Sequence, residues 1–128
     1  MRLIHDIKEP VRVLALAGEI DLHYAPILTI LLEEKTPVPA ETLVLDLSEV
    51  TFIDSSGIAA IIAYLRSATR AARTFCIGGM SEAVNTIFEV IHLAKAMPLF
   101  ATREAALDAI EKNQIAEPAR PLFHAAGD

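Results

Sequence analysis

Residues 43–47, Leu-Val-Leu-Asp-Leu, form the segment that most constrains the fold. A run of this length is too short for an independent helix, and its apolar character is typical of a strand covered on both faces. Strands of that kind occur mainly in parallel sheets, where crossover helices cover both sides. We therefore predict that this segment is the central strand of a sheet with parallel neighbours.

The rest of the chain alternates strand-like and helix-like segments, which predicts an α/β fold. Glu9-Pro10 separates two strand-like runs that we interpret as a hairpin. Asp21, Ser81 and Thr102 precede helical patterns as candidate caps, and Gly78-Gly79 is interpreted as a break between elements. The predicted strands lie at residues 3–7, 11–17, 43–47, 74–77 and 97–100. The predicted helices begin after Asp21, at the 54–57 turn, after Ser81 and after Thr102, and their apolar residues fall at 27–32, 58–65, 84–88 and 105–110, with the second helix running to about residue 73.

The length of 128 residues and the hydrophobic content of 53% fit one packed domain. No run approaches the ~20 apolar residues of a membrane-spanning helix. The amino terminus lacks the apolar run of a secretory signal, so we expect a cytoplasmic protein that does not enter membranes. The pattern weakens from Ala116 onward. We predict a domain over residues 1–112 and a mobile tail over 113–128.

The charge balance argues against nucleic-acid binding. The formal net charge is -6, and Lys and Arg form no cluster that could neutralise phosphates. Arg66, Arg70 and Arg73 recur at helical spacing, which we interpret as the solvated face of a helix. Aromatic residues make up 5% of the chain and Trp is absent, which disfavours a base-stacking surface.

Catalytic and metal-binding patterns are also missing, so we predict a protein that is not an enzyme and holds no metal or cofactor. Cys76 lies in a strand-like run and is expected to be buried. No serine lies in a Gly-x-Ser-x-Gly elbow, and no phosphate-binding glycine loop is present. The histidines have no metal-ligand partner at suitable spacing: His5, His23, His92 and His124.

The Asp54-Ser55-Ser56-Gly57 segment is the strongest candidate site. It lies where the apolar pattern changes from strand to helix, so the first amide groups of that helix lack intrahelical partners and favour negative charge. A phosphoryl group on a serine there would add about two negative charges beside Asp54 and Asp21, and would disfavour a partner that approaches with carboxylates. A simple helix cap with a closely packed glycine explains the residues of the segment equally well.

Three segments in fixed order resemble a known family. They are Gly18-Glu19-Ile20-Asp21, residues 44–47, and Phe52-Ile53 followed by the Asp-Ser-Ser-Gly turn, residues 54–57. Together they are similar to the STAS domain, and more narrowly to bacterial anti-sigma factor antagonists, over about residues 3–110. The resemblance implies a mixed sheet of four or five strands with about four helices, mainly on one face.

The same resemblance implies partner switching. Ser55 corresponds to the serine that an anti-sigma factor with kinase activity phosphorylates in this family, and ATP and magnesium would belong to that kinase. The unphosphorylated protein would bind the anti-sigma factor and release the sigma factor, and a separate serine phosphatase would restore binding after phosphorylation. A monomer or a weak homodimer is expected. The resemblance implies a partner-binding surface formed by Glu19, Asp21, Asp54, Ser56 and Gly57.

Other interpretations remain open from the sequence. A STAS module could bind without being phosphorylated, as a scaffold in a stress-signalling complex or as an accessory subunit of a lipid ABC transporter. A STAS domain from an anion transporter and a small hydrolase using Ser55 or Ser56 are further alternatives, and the latter lacks a histidine at catalytic spacing. The proline-rich connector at residues 36–41 and the tail after Lys112 depart from the family pattern.

Overall fold

The computed structural model describes residues 1–7, 11–34 and 42–112. The connector at 36–41 and the predicted tail at 113–128 lie outside the described residues. The strands are β1 (Arg2–Ile7), β2 (Arg12–Ile20), β3 (Thr42–Ile53), β4 (Thr74–Met80) and β5 (Leu99–Phe100). The helices are α1 (Ala25–Glu33), α2 (Ser55–Arg70), α3 (Glu82–Val90) and α4 (Arg103–Glu111), with a 3-10 turn at Leu93–Lys95.

The described strands form one mixed sheet in the order β1-β2-β3-β4-β5. β1 pairs antiparallel with β2, and the other neighbours pair in parallel. β3 lies in the middle of this order, and residues 43–47 within it are all buried. The predicted central strand and the α/β class are therefore confirmed.

The two faces of the sheet are covered unequally because successive strand residues point to opposite sides. Leu14, Leu45 and Ile77 pack with α1, α2 and α3 in the larger core. On the other face, Val44 and Cys76 pack with Ala106 of α4. The predicted placement of the helices mainly on one face is confirmed. Cys76 is fully buried as predicted, and burial raises the pKa of its thiol to about 12.

Two local predictions were wrong. Gly78-Gly79 does not break the chain, since β4 continues through both glycines to Met80. Gly79 has φ +108°, and a Cβ there would collide with the side chains of Ser48 and Asp46. Its glycine character therefore serves a close approach inside the sheet. Asp21 is not the N-cap of α1, which is Tyr24. Asp21 instead accepts hydrogen bonds from the backbone N–H groups of His23 (3.0 Å) and Tyr24 (3.3 Å) and shapes the turn before the helix.

Arg12, which the sequence patterns did not single out, fixes the far end of α1. Its side chain is buried at the start of β2. The guanidinium donates to the carbonyl oxygens of Leu31 and Leu32, the latter at 3.1 Å, and its Nε lies 3.2 Å from Asp6 Oδ1. Since the last carbonyls of a helix lack intrahelical donors, Arg12 supplies a donor to the Leu32 carbonyl and adds one to the Leu31 carbonyl, which also accepts from the Glu34 N–H.

Candidate functional site

The parallel arrangement of β2, β3 and β4 brings three helix starts to one edge of the sheet. α1, α2 and α3 each begin after the carboxyl end of a strand at this edge. Here the Asp54 N–H donates to the carbonyl of Ile20 (3.1 Å), and the Leu22 N–H donates to Asp54 Oδ2 (3.2 Å). The structure therefore joins the two segments that the sequence singled out, the end of β2 and the Asp-Ser-Ser-Gly turn.

Asp54 is the N-cap of α2. Its Oδ1 accepts hydrogen bonds from the N–H groups of Ser56 (2.9 Å) and Gly57 (3.1 Å), and from the Ser56 hydroxyl. The Ser56 hydroxyl, followed by the Gly57 amide, lowers the pKa of Asp54 because both stabilise the carboxylate. Asp54 is therefore ionised at neutral pH and fixes the geometry of the turn.

The lowered pKa of Asp54 predicts a pH-dependent contribution to stability. A carboxyl whose folded pKa is depressed stabilises the fold above its unfolded pKa of about 3.9, and that stabilisation is lost as the pH falls through the folded pKa. We expect Asp54→Asn to unfold more easily than the wild type at pH 7, with a difference that narrows towards pH 3 and below. Urea unfolding across this range measures it. A difference that stays constant would contradict this role for the carboxylate.

The two serines of the turn have different surroundings. Ser55 is the first residue of α2 and is exposed, and within the described residues its side chain makes no hydrogen bond. Ser56 is half-buried and its hydroxyl donates to Asp54. Ser55 is therefore the exposed hydroxyl of the turn, whereas Ser56 belongs to the cap.

Gly57, which the resemblance places on the partner surface, is buried beneath the exposed residues of the turn. A Cβ at this position would lie 2.8 Å from the Ile20 Cγ2 and 2.8 Å from the Ile53 Cγ1. Glycine therefore allows the first turn of α2 to pack directly on the ends of β2 and β3.

The tight contact at Gly57 predicts an unusual effect of alanine. In an exposed helix, Gly→Ala stabilises by up to about 1 kcal/mol. Here the added methyl must displace two core side chains, an overpacking cost of about 1–3 kcal/mol. We expect Gly57→Ala to lower the free energy of unfolding by about 1–2 kcal/mol, measured by urea unfolding. Ala59→Gly, at an exposed position of the same helix, is the control that measures the ordinary difference in helix propensity between alanine and glycine. A higher free energy of unfolding for Gly57→Ala would contradict the prediction and show that Ile20 and Ile53 move aside without cost.

Exposed apolar side chains surround the turn, and the sequence analysis missed them. Leu22 is 74% exposed and Phe52 is 46% exposed. Glu19 is exposed and is the register partner of Phe52 on the neighbouring strand, and Asp21 is half-buried in the turn before α1. Apolar residues within two positions of the turn aspartates Asp21 and Asp54 were the available signal, because turns favour polar residues.

The charges in this region are mainly negative. Glu19, Asp21, Glu49 and Asp54 lie at or near the carboxyl ends of β2 and β3. Arg66 and Arg70 lie in the second half of α2, away from the turn. In the described ranges, no group of three or more His, Cys, Asp and Glu side chains could hold a metal ion. The site therefore presents apolar side chains and carboxylates.

Comparison with known proteins identifies the class. The STAS domain family model matches residues 3–106, so this chain belongs to the STAS domain family. No helix of the described residues has the length and apolar content to cross a membrane.

Similar solved structures include several anti-sigma factor antagonists and a sulfate transporter family protein from Wolinella succinogenes, the latter 17% identical with TM-score 0.71 over 83% of this chain and 88% of that one. One antagonist, from Mycobacterium paratuberculosis, is 26% identical, with TM-score 0.76 over 86% of this chain and 93% of that one. A putative antagonist from Thermotoga maritima is 20% identical, with TM-score 0.76 over 85% and 94%. The Bacillus cell fate determinant SpoIIAA in its phosphorylated form is 23% identical, with TM-score 0.62 over 85% and 97%.

Proposed function

We propose that this protein is an anti-sigma factor antagonist that works by binding and is switched by phosphorylation of Ser55. The observation that carries the proposal is the position of Ser55, exposed at the start of α2 next to Asp54, which caps the helix. The similarity to antagonists, one of them solved in a phosphorylated form, supports the same assignment. The partner is an anti-sigma factor that is also a serine kinase.

The cap explains why modification can leave the fold intact. The amide groups of Ser56 and Gly57 already bind Asp54, and the Ile58 N–H bonds the Asp54 carbonyl at 3.0 Å. A phosphate on the exposed Ser55 would therefore project from the surface without displacing these bonds. The positive end of the helix dipole partly offsets its repulsion from Asp54.

A phosphate on Ser55 would weaken partner binding because it occupies space in the contact and would have to give up its bound water. Leu22 and Phe52 are exposed apolar groups near the serine, and a partner that packs on them excludes water around Ser55. A phosphate with about two negative charges in that contact would have to lose its hydration, which is costly without a built counter-charge. Phosphorylation therefore releases the partner, and a serine phosphatase restores binding. Because sigma factors act on RNA polymerase, we place this switch in the cytoplasm.

Phosphorylation of the purified protein tests the proposal. The protein is incubated with the anti-sigma factor kinase encoded nearest to it, ATP and magnesium, and the site is located by mass spectrometry. We expect one phosphate on Ser55, no labelling of Ser55→Ala, and labelling of Ser56→Ala, which changes the cap and leaves the acceptor. Phosphate at another residue, or the absence of both binding and phosphate, would overturn the proposal. Binding without phosphate would favour a scaffold role.

A further inference from the structure

Helix α1 carries apolar side chains on two sides, and one of those sides is not covered within the described residues. Ala25, Leu28 and Leu32 are buried against the core. Ile27 is 45% exposed and Ile30 is 70% exposed. Residues three apart are neighbours on a helix surface, so the two isoleucines form one outward-facing apolar stripe. Partner proteins that bind a helix face use apolar anchors at this spacing.

The stripe begins at the proposed switch. Leu22, 74% exposed, precedes α1, and its N–H bonds Asp54 Oδ2 at 3.2 Å, one residue before Ser55. α1 also packs along α2, the helix that begins with Ser55. We name Leu22, Ile27 and Ile30 the α1 stripe. These residues continue the exposed apolar positions from the turn into the first helix.

The charges on and beside α1 indicate what kind of partner would bind the α1 stripe. α1, with the sequence Ala-Pro-Ile-Leu-Thr-Ile-Leu-Leu-Glu, carries no Lys or Arg. A helix that lies on a membrane surface normally presents basic residues to anionic lipids, so a membrane is disfavoured. Asp21 precedes the helix and exposed Glu33 ends it, so a second copy of this chain would bring like charges together. A protein surface with an apolar centre and Lys or Arg facing the Glu33 end of the helix, away from Ser55, is complementary to both the apolar and the acidic side chains.

We infer that the α1 stripe is a second part of the docking surface for the anti-sigma factor, which contacts it through apolar side chains and places basic ones at the Glu33 end of the helix. This inference rests on the proposed function and adds a determinant away from Ser55. The turn determines whether binding occurs in a given phosphorylation state. The α1 stripe supplies the contact area that is independent of that state and selects the partner.

A matched pair of substitutions tests the inference. Ile30→Lys places a charge in the α1 stripe, whereas Val90→Lys places it on α3 at a similarly exposed apolar position, 73% against 70%. Affinity for the purified anti-sigma factor kinase is measured by titration calorimetry, and folding by circular dichroism. We expect Ile30→Lys to weaken binding by about tenfold or more, as for a central interface residue, and Val90→Lys to leave it unchanged. Wild-type affinity should fall as salt rises.

The outcomes separate the two proposals. If the wild type binds and Ile30→Lys binds equally well, the inference is wrong while the proposed function stands. If the wild type does not bind, the proposed function fails and the inference fails with it. In kinase assays, Ile30→Lys should raise the KM for this protein with little change in kcat, because the side chain adds binding and takes no part in phosphoryl transfer.

Discussion

Ser55→Glu is expected to weaken binding of the anti-sigma factor by about 100-fold or more without destabilising the protein. The exposed side chain of Ser55 stands at the first position of α2, where a carboxylate interacts favourably with the helix dipole. Glutamate there mimics part of the phosphate charge within the apolar and acidic surface around the turn. The thermal midpoint should stay equal to that of the wild type or rise slightly, so that any lost affinity reports on the interface.

Ala63→Glu is the matched control for charge. Ala63 is exposed on the same helix, eight residues later and about 12 Å along its axis. The Ala63→Glu substitution adds the same charge to the same helix away from the turn, and we expect this variant to bind the anti-sigma factor with wild-type affinity. Titration calorimetry with the anti-sigma factor compares the three proteins. Equal weakening by both substitutions would mean that net charge, and not position 55, controls binding.

Arg12→Met is expected to lower the free energy of unfolding by about 2–4 kcal/mol. The variant keeps much of the side-chain volume and removes the donors that serve Leu31, Leu32 and Asp6. Among the described contacts, the Leu32 carbonyl would then lose its donor and the Leu31 carbonyl would keep only the Glu34 N–H, and a half-buried Asp6 would lose its counter-charge. The effect should be large because the Arg12 side chain is only 4% exposed.

Urea unfolding measures the effect of Arg12→Met, with Arg70→Met as the control. Arg70 is exposed at the end of α2, so its replacement should change stability by no more than about 0.5 kcal/mol. A loss below about 1 kcal/mol for Arg12→Met would mean that water replaces the guanidinium at the end of α1. Because α1 carries the α1 stripe, the variant should also bind the anti-sigma factor less tightly.

Local signals predicted much of the fold. The central strand followed from five apolar-rich residues, and Ser81 and Thr102 cap α3 and α4 as predicted, each accepting from a backbone N–H three residues later. The cap at Asp54 also follows from neighbouring residues. These features depend on contacts within one turn of chain, so a single sequence contains enough information to recognise them.

Features that depend on distant residues could not be predicted in this way. Arg12 bonds the end of α1 about twenty residues later in the chain, and Leu22 bonds Asp54 across 32 residues. The continuation of β4 through Gly79 depends on the position of the Asp46 side chain on the adjacent strand. Nothing in the local pattern specifies such pairings. The exposure of Leu22 and Ile30 likewise follows only from how α1 packs on the sheet.

The affinity for the anti-sigma factor kinase, measured before and after phosphorylation of the same protein sample, tests the central proposal most directly. Unphosphorylated protein and protein phosphorylated to completion by the anti-sigma factor kinase are each titrated with that partner. We expect phosphate on Ser55 to weaken binding by about 100-fold or more, and a serine phosphatase to restore it. Equal affinity of the two forms, with phosphate verified on Ser55 by mass spectrometry, would contradict the switch.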